Sequence, residues 1–273
     1  MKIAVTGASG FIGRHVLAAL KFRGVKVIAV TRNRTQLAGL DPCVQVVEMD
    51  IGSADANAYD DLHQPDAVIH LAWDGLPNYK SLHHFEVELP KHYRFLRLLV
   101  DGGLPALLVS GTCFEYGMQS GPLSADTLPL PSNPYGYAKD ALRKQLTYLA
   151  NQKHFKLTWG RLFYMYGEGQ PPNSLYPLLR AAVARGDRVF NMSGGEQLRD
   201  YLHVDEVSRK IIDFAVSKEG AGVVNICSGK PISVRQLVEQ WVVENNWKID
   251  LNLGYHPYPD YEPMAFWGIE NKV

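Results

Sequence analysis

A short apolar run, Ile3, Ala4 and Val5, leads straight into Thr6-Gly7-Ala8-Ser9-Gly10-Phe11-Ile12-Gly13 and from there into a helical pattern. Strand, Gly-x-x-Gly-x-x-Gly and helix in that order leave few folds open. The glycines permit a tight turn, close approach of backbone to a diphosphate and close packing of helix on strand, while the helix N-terminus offers unpaired N–H groups to an anion. A glycine triplet alone is weak; between a strand and a helix it is a dinucleotide-binding signal. It places Gly7, Ser9, Gly10, Phe11, Ile12 and Gly13 against a cofactor.

The pattern that follows supports the same fold. Runs rich in Val, Ile and Leu recur at residues 3–5, 25–30, 44–47, 67–70, 106–109 and 157–162, short and unbroken as buried parallel strands should be. Between them, residues 12–22, 83–100 and 134–152 carry apolar positions at three- and four-residue spacing. Strand and helix in alternation imply an α/β, doubly wound parallel sheet of the Rossmann type. After about residue 167 the texture changes: turn-rich stretches at 167–173 and 193–197 interrupt shorter elements, and residues 255–267 are crowded with Tyr and Pro. The expected division is a Rossmann domain over residues 1–166 and a smaller α/β C-terminal substrate lobe over 167–273, with the segment around 196–215 packing back on the first domain.

Lys plus Arg equals Asp plus Glu at 28 each, so no net field gathers nucleic acid or an anionic membrane. Cys43, Cys113 and Cys227 are odd in number and lack metal-ligand spacing, which fits a reducing compartment. No stretch approaches the roughly 18 apolar residues of a membrane span, and no leader precedes the first strand, so a cytoplasmic location is expected.

The second strand ends Val30, Thr31, Arg32, Asn33, Arg34, without the acid that accepts from an NAD ribose. Arg32 or Arg34, or Arg14 after the third glycine, would instead pair with a 2′-phosphate, which favours NADP(H) over NAD(H). Asp50, at the end of the third strand, is placed to accept from the adenine amino group or to cap a helix. His70 is expected to bond backbone beside the cofactor.

Tyr135 and Lys139 form a Tyr-x-x-x-Lys pair just inside a helix whose entrance is marked by Ser132, Asn133 and Pro134. Four-residue spacing puts both on one face. A phenol titrates near pH ~10, and a neighbouring ammonium favours its phenolate, so Tyr135 is expected to exchange a proton with an alcohol or carbonyl oxygen. Thr112, at the end of the fifth strand, offers a hydroxyl for the same oxygen.

Together, the loop at 6–13, His70-Leu71-Ala72, Thr112 with Tyr116-Gly117, Tyr135 with Lys139, and Arg199-Asp200-Tyr201 followed by Val204-Asp205 resemble the extended short-chain dehydrogenase/reductase family, and within it the nucleotide-sugar epimerases, dehydratases and reductases. The resemblance implies a catalytic triad of Thr112, Tyr135 and Lys139, with Lys139 also holding the nicotinamide ribose. It implies cofactor contacts at Ile51, Leu71 and Ala72 and a nucleotide-sugar substrate whose diphosphate meets Arg199. Asn173 is a further substrate contact, or a helix cap. A homodimer through the helices at 83–100 and 134–152 is also implied.

Departures narrow the activity. The 4,6-dehydratases carry an Asp-Glu pair after the catalytic threonine, where this chain has Cys113 and Phe114. The 3,5-epimerase/reductases place a catalytic cysteine two residues before the Tyr-Gly pair, where Phe114 stands, so Cys113 is read as a packed thiol. Glu88 and Tyr164 stand where many relatives have Asn. What remains is NADPH-dependent reduction of the C4 ketone of a nucleotide-linked 4-keto-6-deoxy sugar, as in surface-polysaccharide pathways, or 4-epimerisation through a transient ketone. A non-catalytic NADP(H) sensor is the alternative of another class, but such proteins commonly lose the Tyr–Lys pair. His83-His84 suggests no metal, because adjacent helical residues point about 100° apart. Tyr255, Tyr258, Tyr261 and Trp267 are expected to pack rather than stack on a ligand.

Overall fold

The computed structural model describes residues 1–217 and 219–271. In chain order the strands are β1 (Lys2–Thr6), β2 (Lys26–Thr31), β3 (Val44–Glu48), β4 (Ala67–His70), β5 (Ala106–Thr112), β6 (Gly121–Leu123), β7 (Lys156–Leu162), β8 (Tyr164–Tyr166), β9 (Val189–Asn191), β10 (Leu198–His203), β11 (Gly222–Ile226), β12 (Pro231–Ser233), β13 (Asp250–Asn252) and β14 (Phe266–Gly268). The α-helices are α1 (Phe11–Leu20), α2 (Ala58–Asp61), α3 (Leu89–Asp101), α4 (Pro134–Gln152), α5 (Leu175–Arg185), α6 (Val204–Ala215) and α7 (Val234–Glu244).

Seven parallel strands form one sheet in the order β11-β7-β5-β4-β1-β2-β3. Its interior strands are apolar on both faces because helices cover both. Ile3 and Val5 of β1 face one way, with Val16, Leu17 and Leu20 of α1 and Ile211, Ile212 and Phe214 of α6. Ala4 faces the other way, with Phe95, Leu96 and Leu99 of α3 and Leu142, Leu146 and Leu149 of α4. The order reverses at β1, whose neighbours are β2 on one side and β4 on the other, and in open α/β sheets the ligand crevice lies outside the strand ends at such a point.

The later part of the chain builds smaller sheets: three strands in the order β12-β10-β8, and the pairs β13-β9 and β14-β6. A core of Leu179, Ala182, Phe190, Met192, Leu237, Val238 and Trp241 joins α5, β9 and α7. Two later elements return to the large sheet: α6 lies on α1, and β11 extends the sheet beyond β7. No helix among the described residues is long and apolar enough to cross a membrane.

The helical pattern at 83–100 is not one regular helix. His84–Glu88 form a π-helical turn, and α3 begins only at Leu89. Pro90 has no N–H to donate to residue 86, so the regular ladder cannot run through this point. By contrast α4 starts where its signals place it, with the Asn133 side chain accepting from Gly136 N at 2.8 Å.

Leu96 is fully buried between α3 and the sheet, whereas Leu128 is 69% exposed. Leu96→Ala is expected to lower unfolding stability by about 2–5 kcal/mol, and Leu128→Ala by under about 0.5 kcal/mol. Urea denaturation with an unchanged slope measures both.

Candidate active site

The glycine loop and the loop after β4 form one wall. Gly7 has φ +67°, and a Cβ there would stand 2.7 Å from Ala72 N; a Cβ on Gly13 would stand 2.2 Å from Gly7 O. The loop is thus a backbone cradle that side chains would fill, as a dinucleotide diphosphate requires. No side chain caps α1 at Gly10, which leaves first-turn N–H groups facing the cradle. A groove of about 210 Å³ runs from here between the ends of β1, β2 and β4, lined by Gly7, Ser9, Gly10, Arg32, Asp50, Ile51, Leu71, Ala72, Trp73 and Asp74 among others. Phe11 instead faces a second cavity, and Ile12 and Gly13 pack beneath the loop. Asp50 also accepts from Gly52 N at 2.9 Å, a turn-capping contact.

A buried hydrogen-bond chain braces this wall. Thr6 Oγ1 meets His70 Nδ1 at 2.8 Å, His70 Nε2 meets His92 Nδ1 at 2.7 Å, and His92 Nε2 meets Glu88 Oε2 at 3.0 Å. Burial holds His70 well below the usual histidine range and His92 at about 4. Burial would raise the Glu88 carboxyl, but hydrogen bonds from His92, Lys91 and the Asp74 N–H together hold it well below its usual value. With both imidazoles neutral and Glu88 ionised, each group donates toward the carboxylate. The expected backbone contact of the His70 ring is therefore corrected: its two ring nitrogens bond side chains, because Thr6 and His92 reach it first.

Tyr135 stands between the groove and the second cavity. Its ring is flanked by Trp73, which lines the groove, at 6.1 Å, and by Tyr79, which lines the cavity, at 5.7 Å, with His84 at 5.2 Å. Thr112 lies beside it and opposes the upward push on its pKa; that push comes first from burial and then from Tyr79, and it prevails. Lys139 Nζ donates to Ser110 O at 2.9 Å and sits 4.0 Å from the centre of the Trp73 ring. Burial lowers its pKa to about 7 against the pull of Glu115 and Glu88. In the protein alone the Tyr135 pKa thus lies above the ordinary phenol value, because burial and the neighbouring Tyr79 prevail.

Thr112 is fixed from below. Its Oγ1 accepts from Phe114 N at 3.3 Å, while its own N–H donates to Glu115 Oε1 at 2.9 Å. Glu115 is fully buried and also accepts from Trp159 Nε1 and from Arg161 Nε, each at 2.9 Å or less. Composition gave no sign of this buried pair. Cys113 is buried, and burial pushes its thiol well above the ordinary range, away from nucleophilic chemistry.

The second cavity, about 830 Å³, is lined by aromatic residues including Tyr79, Tyr164, Tyr166, Tyr176, Tyr201 and Trp241, together with Asn173 and the carboxylates of Asp260 and Glu262. Arg199 lies behind this wall. Only 3% exposed, it gives two hydrogen bonds to Glu262 Oε2, at 3.1 and 2.7 Å, and one each to Leu198 O and Met264 O. The neighbouring Asp200 instead accepts from Ser228 and Gly229. Of the tail aromatics, Tyr261 lines the cavity, while Tyr255 is exposed.

The three arginines expected at a 2′-phosphate have different fates. Arg14 donates to Ser9 O and Gln36 O, and Arg34 donates to Val46 O. Arg32 pairs with Asp74, a residue that sequence reasoning passed over because it follows β4 rather than β2. Trp73 was missed in the same loop. The signal was available: β2 and β4 flank β1, so residues just past His70 overhang the same groove as residues just past Thr31.

Comparison with known proteins agrees with this geometry. Residues 3–227 match the NAD dependent epimerase/dehydratase family. A dTDP-6-deoxy-L-talose 4-dehydrogenase (NAD(+)) of Aggregatibacter actinomycetemcomitans is 34% identical over 270 residues, 98% of this chain and 99% of that protein. A UDP-glucose 4-epimerase of Halalkalibacterium halodurans is 26% identical over 267 residues, 88% of this chain and 79% of that one. Among solved structures, MoeE5 in complex with UDP-glucose and NAD matches at a TM-score of 0.82 and 29% identity, over 100% of this chain and 90% of its own. The match takes in the glycine cradle, Thr112 and the Tyr135–Lys139 helix alike, and the chain belongs to the NAD-dependent epimerase/dehydratase family.

Proposed function

We propose that this chain interconverts a ketone and an alcohol at C4 of a nucleotide-linked 6-deoxyhexose, working as a reductase of the 4-keto sugar in deoxysugar and surface-polysaccharide synthesis. The observation that carries the reading is the place of Tyr135, walled by Trp73 from the dinucleotide groove and by Tyr79 from the aromatic cavity. Gly7, Ser9, Gly10, Gly13, Asp50, Ile51, Leu71 and Ala72 would hold the dinucleotide, with Arg32 able to meet a 2′-phosphate. When bound, its nicotinamide supplies the hydride.

The protein's own groups handle the proton. Burial pushes the Tyr135 pKa up and keeps it a neutral phenol, the form that donates to a ketone oxygen. The O–H of Thr112, beside the Tyr135 phenol, would steady the oxygen that becomes an alkoxide. The Lys139 ammonium stabilises the phenolate left behind, and Ser110 O orients it. Asn173 would contact the sugar nucleotide in the cavity. Arg199 would reach the diphosphate only if Glu262 released it. The homodimer is proposed to form through α3 and α4, where Tyr137 and Tyr148 are exposed.

The test is loss of NADH or NADPH absorbance with nucleotide-linked 4-keto-6-deoxy sugars. Stoichiometric oxidation, reduced about 10²–10⁴-fold in Tyr135→Phe, supports the reductase. If no keto sugar consumes the dinucleotide while an unmodified nucleotide sugar becomes its C4 epimer, the enzyme is an epimerase.

The pH profile provides an independent check. Lys139 is lowered to about 7, so its ammonium is present below that pH and lost above it. The reductive kcat/KM is expected to be level on the acid side and to fall as pH rises through about 7. In Lys139→Met both the falling limb and most of the rate should disappear; a limb that survives the substitution assigns the titration to another group.

A further inference from the structure

We infer that Asp74 is the specificity-determining residue for the dinucleotide, doing from the loop after β4 what an acid at the end of β2 would do. The inference rests on the groove being the dinucleotide site.

Arg32 is the arginine at this edge whose guanidinium is not committed to backbone carbonyls. Asp74 takes it as a fork: Nη1 donates to Oδ2 at 2.8 Å and Nη2 to Oδ1 at 3.1 Å. Both residues line the groove. A fork–fork pair uses the donors that a phosphate would need, and it leaves a carboxylate where a 2′-phosphate would bring two negative charges. The 2′-hydroxyl of NAD(H) meets no such opposition and can donate to the same carboxylate.

Asp74 is held in place from beneath. Its N–H donates to Glu88 Oε2 at 3.1 Å, and Lys91 Nζ sits 2.5 Å from Glu88 Oε1 and 3.6 Å from Asp74 Oδ2. Glu88 is itself buried and bound by His92. This gives Glu88 a role: it anchors the backbone that presents the acid. The pair is partly exposed, 64% at Arg32 and 43% at Asp74, and exposed ion pairs are weak. Asp74 therefore biases the choice without forbidding NADP(H), and the chain accepts both dinucleotides.

The experiment is titration of the full-length protein with NAD+ and NADP+, read by tryptophan fluorescence, since Trp73 lines the groove, and repeated by calorimetry. Asp74→Asn keeps the shape and removes the charge. It should tighten NADP+ by about twofold to fivefold, the scale of one exposed ion pair, and leave NAD+ unchanged or slightly weaker. In the Arg32→Gln background the gain for NADP+ should vanish. An unmoved ratio of the two dissociation constants, or an equal gain without Arg32, overturns the inference alone. Failure of both dinucleotides to bind the unsubstituted protein overturns the assignment of the groove and the inference with it.

Discussion

Where β1 and β4 lie side by side, their following loops run so close that a single methyl group on Gly7 would stand 2.7 Å from Ala72 N. That contact fixes the depth of the cradle, the line along which the loop after β4 leaves the sheet, and hence the positions of Trp73 and Asp74. It exists because the strand order reverses at β1, which sends the chain away on both sides and leaves the strand ends uncovered. Helices seal the two faces of the sheet, so the crevice at its edge is where backbone donors remain accessible.

Two buried polar networks stiffen this edge. The first runs from Thr6 through His70 and His92 to Glu88, linking β1, β4 and the helix that follows the irregular turn at His84–Glu88. Pro90 interrupts the regular ladder there, and the same irregularity brings Glu88 inward. The second joins Glu115, Trp159 and Arg161 beneath Thr112. Buried ion pairs add little net stability, yet removing one partner leaves an uncompensated charge. Their value here lies in geometry: the first holds the strand end and loop that line the groove, and the second holds the strand end that carries Thr112.

The electrostatics of the centre follow from aromatic packing. Tyr135 and Lys139 are one helical turn apart, but the rings of Trp73, Tyr79, His84 and Phe114 exclude water from around the phenol. Desolvation acts on both groups in the direction of neutrality, up for Tyr135 and down for Lys139. The phenol therefore keeps its proton, while the charge on Lys139 is present only below about pH 7. The counterions of the site arrive from far along the chain: Asp74 on Arg32 and Glu262 on Arg199.

The doubly wound sheet, the glycine cradle, the start of α4 and the adjacency of Tyr135 and Lys139 are legible in the residues alone, because each depends on residues within about seven positions of one another and on periodicities the backbone imposes. The break at Glu88 was also local, since Pro90 is visible, but a single proline inside a strong apolar repeat gave no measure of which register would replace the helix. That Asp74 faces Arg32 across 42 residues and that Glu262 covers Arg199 across 63 emerges only on folding. So does the burial of Glu115 beneath Thr112. Charge partners at such separations are chosen by which strand ends meet at the sheet edge, and no local propensity carries that information.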